Sequence, residues 1–259
     1  MSLDFRVVIP ARYGSQRFPG KPLVEIAGKP LIQHVIERAQ ESQARAIFVA
    51  TDDERIARVA ETSGATPVLT GDHPSGTDRI AAVLEIQGWP EDALLVNLQG
   101  DEPCMPPALI DQVAQALEAH PHLGMATLAT PISDRETLFD PHVVKVAADG
   151  AGRALYFSRA PIPWHREAFP DRFPTEPCFL RHIGLYAYRA GFLRRFVGWP
   201  PAPLEQVESL EQLRALWQGE RIYLSLASVP PGPGVDRPSD VDRVLAFWSG
   251  AGSGDLPNR

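Results

Sequence analysis

The stretch Val7–Leu23, VVIPARYGSQRFPGKPL, constrains this chain more than any other. Phe5, Val7, Val8 and Ile9 form an apolar run that predicts a short buried strand, and Pro10 ends it. The loop that follows carries Arg12, Arg17 and Lys21 among Gly14, Ser15, Pro19 and Gly20, with no acid among them. Small residues let backbone N–H groups approach phosphate oxygens, and the cations offset the negative charge. Arginine adds forked, two-point contacts, while lysine acts as a compact point charge. A single arginine here would read as an ordinary surface cation. Three cations straight after a buried strand point to a bound polyanion. The loop is not a Walker A motif, because the spacing from Gly14 to Lys21 is wrong and Pro22 follows the lysine. It does not fit G-x-G-x-x-G either.

The segments that follow alternate between helix and strand patterns. Leu31–Ser42 has a helical apolar stripe with Pro30 at its first turn, and Ala46–Thr51 reads as a strand. Asp52–Ser63 reads as a helix ended by Gly64, Thr66–Leu69 as a strand and Thr77–Ile86 as a helix. Ala93–Leu98 is then a buried strand and Pro107–Ala119 a helix. This order predicts an α/β fold, Rossmann-like, with a mainly parallel sheet and helices on both faces. Ligands in such sheets bind at the carboxyl ends of strands. Both the Arg12–Lys21 loop and Gln99-Gly100-Asp101-Glu102 lie at such ends.

The second half has another rhythm, and many of the 26 prolines fall between Pro161 and Pro238. Strands are predicted over Met125–Ala129, Val143–Ala147, Ala154–Ser158, Phe179–Tyr188 and Ile222–Ser228. Helices are predicted over Leu204–Gln218 and Pro238–Trp248. Glu208, Glu211 and Gln212 fall on the polar side of the first, which reads as a solvated face. We expect one domain over residues 1–250 with a smaller lobe inserted after about residue 125. Residues 251–259 are Gly/Ser-rich and read as a frayed tail.

Composition excludes several classes. Lys plus Arg number 25 against 32 Asp plus Glu, a net charge of −7, which argues against a general nucleic-acid binder. No run approaches the ~18 apolar residues of a membrane span. Asp4 and Arg6 break up the start, so a secretory signal is not expected. Cys104 and Cys178 lie far apart without metal-ligand spacing, and a reducing cytoplasm is the default expectation.

Asp101 follows a buried strand and Gly100, so its carboxylate can project into a cleft. Asp236, in Gly234-Val235-Asp236, follows the last strand. Two such carboxylates could share a Mg²⁺ with phosphate oxygens and water. For Asp236, a turn or helix cap before Pro238 is an at least equal reading. Ser75-Gly76 precedes a helix and can present N–H groups to a base edge, although a plain N-cap by Ser75 or Thr77 is the stronger reading of the residues alone. Arg159, Arg181, His182 and Tyr186 form a polar cluster in or beside apolar strands, fit for an acid sugar or for an interface. For His182 alone, a satisfied core histidine is the stronger reading. Nothing requires an enzyme nucleophile, since a substrate hydroxyl attacking a phosphate needs only positioning and charge stabilisation.

The motifs PARYGSQRFPGKPL, VATDDERIA, HPSGTDR, VNLQGDEP, ALYFSRAPIPW, FLRHIGLYAYRAGF, LEQVESLEQLRALW and GVDRPSDVDRV run in order from about Val7 to Trp248. Together they resemble the 3-deoxy-manno-octulosonate cytidylyltransferases. The family loop commonly has Ala where Gly14 stands and Leu where Phe18 stands, and its SGTER is SGTDR here. The resemblance implies a nucleotide-diphospho-sugar transferase fold and a reaction in which CTP and 3-deoxy-D-manno-octulosonate (Kdo) give CMP-Kdo and pyrophosphate with Mg²⁺. Carried over by position, it implies that Arg12, Arg17 and Lys21 hold the triphosphate and that Asp101 and Asp236 bind Mg²⁺. Ser75 and Gly76 would sit by the cytosine with Gln99 nearby. Gln99, Arg159, His182, Tyr186, Glu211 and Gln212 would line the sugar pocket. It also implies a cytoplasmic homodimer serving lipopolysaccharide synthesis. The alternatives are an 8-amino Kdo analogue or another acid sugar as acceptor, a GT-A-like glycosyltransferase, for which the D-x-D motif is missing near Asp101, and a non-catalytic CTP binder.

Overall fold

Alternation along β1 (Phe5–Ala11) decides which layer each of its residues serves. Phe5, Val7 and Ile9 enter one apolar cluster, and Val8 enters another on the opposite face. A strand buried on both faces belongs inside a sheet covered by helices on each side. The computed structural model describes residues 3–14, 18–174 and 179–250.

A 3₁₀ turn (Lys21–Leu23) and a small hairpin, β2 (Glu25–Ile26) and β3 (Lys29–Pro30), lead into α1 (Leu31–Gln40). Then come β4 (Ala46–Thr51), α2 (Glu54–Thr62), β5 (Thr66–Leu69), α3 (Gly76–Gln87), β6 (Leu94–Asn97), α4 (Pro107–Glu118) and β7 (Met125–Pro131). The second half holds α5 (Arg135–Phe139), β8 (Lys145–Ala148), β9 (Ala154–Ser158), β10 (Leu180–Arg189) and α6 (Ala190–Gly198). It ends with α7 (Pro203–Glu208), α8 (Leu213–Trp217), β11 (Ile222–Leu226) and α9 (Asp240–Trp248).

The central sheet runs β11-β7-β10-β6-β1-β4-β5. β1 pairs in parallel with β4 and β6, β4 with β5, and β7 with β11. β10 runs against both β6 and β7. The expected parallel sheet therefore carries one reversed strand at the junction of its halves. The β8–β9 pair leaves the main sheet from β10. Apolar residues of α1, α2 and α4 join the first cluster (Ile36, Ile56 and Ile110 among them), and those of α3, α6 and α8 join the second (Ile80, Leu193 and Leu213).

One expected element is two. The helix predicted over Leu204–Gln218 breaks at Ser209, which takes a left-handed φ of 52°. Glu205 of α7 accepts from Arg214 of α8 through both carboxylate oxygens, at 2.9 and 2.5 Å. Glu208 accepts from Ser158 Oγ at 2.6 Å and from the Arg159 N–H at 2.9 Å. A straight helix would carry these carboxylates away from their partners, so tertiary hydrogen bonds override helix periodicity here. Gln212 is buried, which corrects the reading of this stretch as a solvated face.

Candidate active site

The turn after β6 packs directly against the end of β1. A Cβ on Gly100 would lie 2.9 Å from the Pro10 carbonyl oxygen, so only glycine permits this approach. Gln99 and Asp101 are thereby brought beside Arg12, which follows β1. Beyond the cation-bearing loop, Gly20 turns at φ +71° and donates its N–H to Tyr13 O at 3.1 Å. Lys21 then points inward, its ammonium 2.6 Å from Asp101 Oδ2, 3.0 Å from Val235 O and 3.9 Å from Asp236 Oδ1.

Asp236 reaches this point on a strap that crosses the Asp101–Cys104 turn. Val235 N–H donates to Asp101 O at 2.8 Å. A Cβ on Gly232 would fall 2.4 Å from Cys104 Cβ, and one on Gly234 3.0 Å from Glu102 Oε1. Asp240 Oδ2 accepts from the N–H groups of Asp236 and Arg237 at 2.9 and 2.8 Å. Asp236 stands before α9, and its carboxylate faces Lys21. Burial, with the charge of Asp101 next, pushes the Glu102 carboxyl up to about 8, so it is a proton-bearing neighbour of Asp101 at neutral pH.

Two hard carboxylates converging on one ammonium make a donor set that suits Mg²⁺, which takes one or two carboxylates and fills its shell with phosphate oxygens and water. Among the described residues no group of three or more His, Cys, Asp or Glu forms a closed metal cage.

Lys21 and Asp101 line a cleft of about 410 Å³ together with Arg12, His73, Ser75, Gly76, Arg79 and Gln99. Ser75 Oγ caps α3 by accepting the Asp78 N–H at 3.1 Å, and the residue lines the cleft. Arg17 lies outside the described residues. The sequence reading missed Arg79 and Asp52. Arg79 is buried, donates to Thr70 Oγ1 at 2.6 Å and to Asp52 Oδ2 at 2.9 Å, and Asp52 Oδ1 accepts the Tyr13 N–H at 3.2 Å. The pair fastens the cation-bearing loop to α3. The signal available for Asp52 was its place just after a strand's carboxyl end.

The sugar-pocket candidates divide. His182 lies 5.3 Å, ring to ring, from Tyr186. Its Nε2 is 2.9 Å from Thr127 Oγ1, which spends its own proton on Leu185 O at 2.8 Å or Ile183 O at 3.2 Å, so the imidazole Nε2–H is the donor. Burial, then the charge of Arg181, lowers the His182 pKa to about 3 and keeps the ring neutral. Burial also raises the Tyr186 phenol, and the Glu211 carboxylate raises it further. Glu211 accepts from Ser75 Oγ at 2.7 Å and from Thr77 Oγ1 at 2.5 Å, so a residue read for the sugar touches one read for the base. Gln212 is buried beside it. Arg159 is tied elsewhere, its Nε donating to Glu208 O at 2.7 Å and its Nη1 to Pro141 O at 2.9 Å.

A cation-lined cleft at strand ends with two carboxylates is the layout of a nucleotidyl-transferring enzyme, and known proteins narrow the class. The cytidylyltransferase family model matches residues 6–222. The 3-deoxy-manno-octulosonate cytidylyltransferase of Pseudomonas syringae pv. syringae is 56% identical over 254 residues, covering 96% of this chain and all of that protein. Its namesake from Hahella chejuensis is 55% identical, over 95% of this chain and 98% of the relative. The solved structure of CMP:2-keto-3-deoxy-manno-octonic acid synthetase complexed with CTP superposes with a TM-score of 0.86 at 41% identity, over 96% of this chain and 99% of that one. A cytidylyltransferase structure from Leptospira borgpetersenii, at 12% identity and a TM-score of 0.61 over 99% of this chain and all of that one, shares the fold. The chain belongs to the cytidylyltransferase family and, within it, to the 3-deoxy-manno-octulosonate cytidylyltransferases.

Proposed function

We propose that the protein transfers CMP from CTP to Kdo, giving CMP-Kdo and pyrophosphate. The observation that carries the reading is the cleft-lining Lys21 ammonium, 2.6 Å from Asp101 and 3.9 Å from Asp236. In this reading Arg12 and Arg17 bind the triphosphate. Lys21 exchanges carboxylate contacts for phosphate ones and offsets the charge that grows on the departing pyrophosphate. Ser75 and Gly76 face the base with Gln99 near it. Gln99, His182, Tyr186, Glu211 and Gln212 line the acid-sugar pocket, and Arg159, now bonded to Glu208 O and Pro141 O, joins them when it turns from those carbonyls. The anomeric hydroxyl attacks the α-phosphorus in line, a P–O bond forms to the sugar, and the bond to pyrophosphate breaks. Asp101 and Asp236 would hold Mg²⁺, which when bound neutralises phosphate charge and orients the attacking hydroxyl.

We read the working unit as a single domain over residues 1–250 with its sugar-binding and dimerisation lobe after about residue 125, assembled as a cytoplasmic homodimer that supplies lipopolysaccharide synthesis. The β8–β9 extension and the free, buried thiol of Cys104 support this reading. Among the described residues no helix is long and apolar enough to cross a membrane.

The test is pyrophosphate release from CTP and Mg²⁺ with Kdo and its 8-amino analogue in parallel. Faster release with Kdo is expected. Preference for the analogue keeps the chemistry and changes the acceptor. No release with either overturns the reading.

A further inference from the structure

Glu211 is gripped from one side by two hydroxyls of the α3 N-terminus, and the two are not equivalent. Ser75 Oγ lies 2.7 Å from Glu211 Oε1 and also 2.7 Å from Asp78 Oδ2. Its single proton serves one carboxylate at a time. Thr77 Oγ1 lies 2.5 Å from Glu211 Oε2 and is nearly inaccessible to solvent. Among the described residues, Glu211 Oε2 is the one acceptor within hydrogen-bond distance of the Thr77 hydroxyl. The Thr77 proton is therefore undivided, whereas that of Ser75 is shared. The grip also crosses the fold, because Glu211 follows the left-handed break at Ser209 whereas Thr77 stands in the first turn of α3 beside the cleft.

A carboxylate offers about four lone-pair directions, of which the two hydroxyls occupy two. Arg214 Nη2 stands 3.9 Å from Oε1, and the remaining directions are those that hydroxyls of a sugar would use. Without Thr77 the carboxylate would keep the shared Ser75 proton and the Arg214 guanidinium 3.9 Å away, and a base that claimed Ser75 would leave it no hydroxyl donor on this side.

We propose that Thr77 is a positioning residue for acid-sugar binding: its hydroxyl fixes the Glu211 carboxylate in the orientation that receives the sugar, and keeps it there when the nucleotide engages Ser75. This inference rests on the function proposed above.

The experiment measures pyrophosphate release with Kdo varied at saturating CTP, and with CTP varied at saturating Kdo, for the unmodified protein and for Thr77→Val, Thr77→Ser, Glu211→Gln and the Thr77→Val/Glu211→Gln double variant. Thr77→Val should raise the KM for Kdo about tenfold, as for loss of one hydrogen bond to a charged group, and leave the KM for CTP within about twofold. Thr77→Ser should restore the KM for Kdo to within about twofold. The double variant should match Glu211→Gln, because a residue acting through Glu211 has nothing left to position. An unchanged KM for Kdo in the valine variant, equal rises for both substrates, or effects that multiply in the double variant would overturn the proposal. If the valine variant fails to fold, Thr77→Ala takes its place with the same expectations. Absence of release by the unmodified protein overturns the function reading itself, and this inference falls with it.

Discussion

The His182→Gln substitution isolates a pH dependence that the structure sets in one place. The His182 imidazole is buried against Thr127 and Phe157, and its pKa is lowered to about 3 from an ordinary 6.5, first by burial and then by Arg181. The folded protein therefore holds this ring neutral, while the unfolded chain protonates it as pH falls through its ordinary value. A group depressed in the folded state lends stability that is complete above the unfolded pKa and is lost as pH falls toward the folded one. Between pH 7 and pH 5 the unfolded state gains nearly one proton that the folded state refuses, at about 1.4 kcal/mol per pH unit below 6.5, a loss of about 2 kcal/mol. Glutamine keeps an N–H donor for Thr127 and cannot titrate. Urea unfolding of both proteins at pH 7, 6 and 5 should show the unmodified protein losing about 2 kcal/mol more than the variant over that range. The other histidines are common to both and cancel in the difference. Parallel pH profiles would refute a neutral, buried His182.

The remaining predictions concern packing at the cleft. Gly100→Ala places a methyl where the Pro10 carbonyl stands, 2.9 Å away, so unfolding free energy should fall by about 1–3 kcal/mol. Pyrophosphate release should fall further, by about tenfold or more, as Asp101 shifts off Lys21; an alanine variant with unmodified turnover would show that the turn is not held this tightly. Glu205→Ala removes the partner of Arg214 in a pair whose side chains are only 12% and 9% exposed, and it also removes the acceptor at the start of α7. A loss of about 3 kcal/mol by urea titration is expected, and one below about 1 kcal/mol would mean that water or Glu211 replaces the pairing.

Much of the architecture is legible because burial on both faces leaves long apolar runs. β1, β4 and β6 and the helices between them follow from runs and stripes alone. The direction of β10 does not, since alternation along Phe179–Tyr188 is the same read either way. The break at Ser209 is hidden for another reason. Left-handed helix ends are usually glycine or asparagine, and this one is held by Glu205 and Glu208 reaching partners outside the helix. Once the break is missed, Glu211 looks solvent-facing, although it reaches hydroxyls 134 and 136 positions away.

The site divides along the same line. Polar residues straight after buried strands were readable because a strand's carboxyl end in such a sheet is where ligands sit, which singles out Arg12 and Asp101. Asp236 was balanced against a cap because the residues around it allow both. Where Asp236 comes to lie depends on contact with a distant turn. The strap from Gly232 to Val235 lies so close to Asp101–Cys104 that a Cβ at Gly232 would overlap Cys104 and one at Gly234 would crowd Glu102. Those two glycines read in sequence as an ordinary loop. In the fold they let the far end of the chain lie flat on the β6 turn, so that Val235 N–H donates to Asp101 O and Asp236 comes to the same ammonium. Backbone proximity thus carries the second carboxylate to the Lys21 ammonium. Alanine at Gly232 should therefore cost activity through Asp236 even though Gly232 lines no part of the cleft.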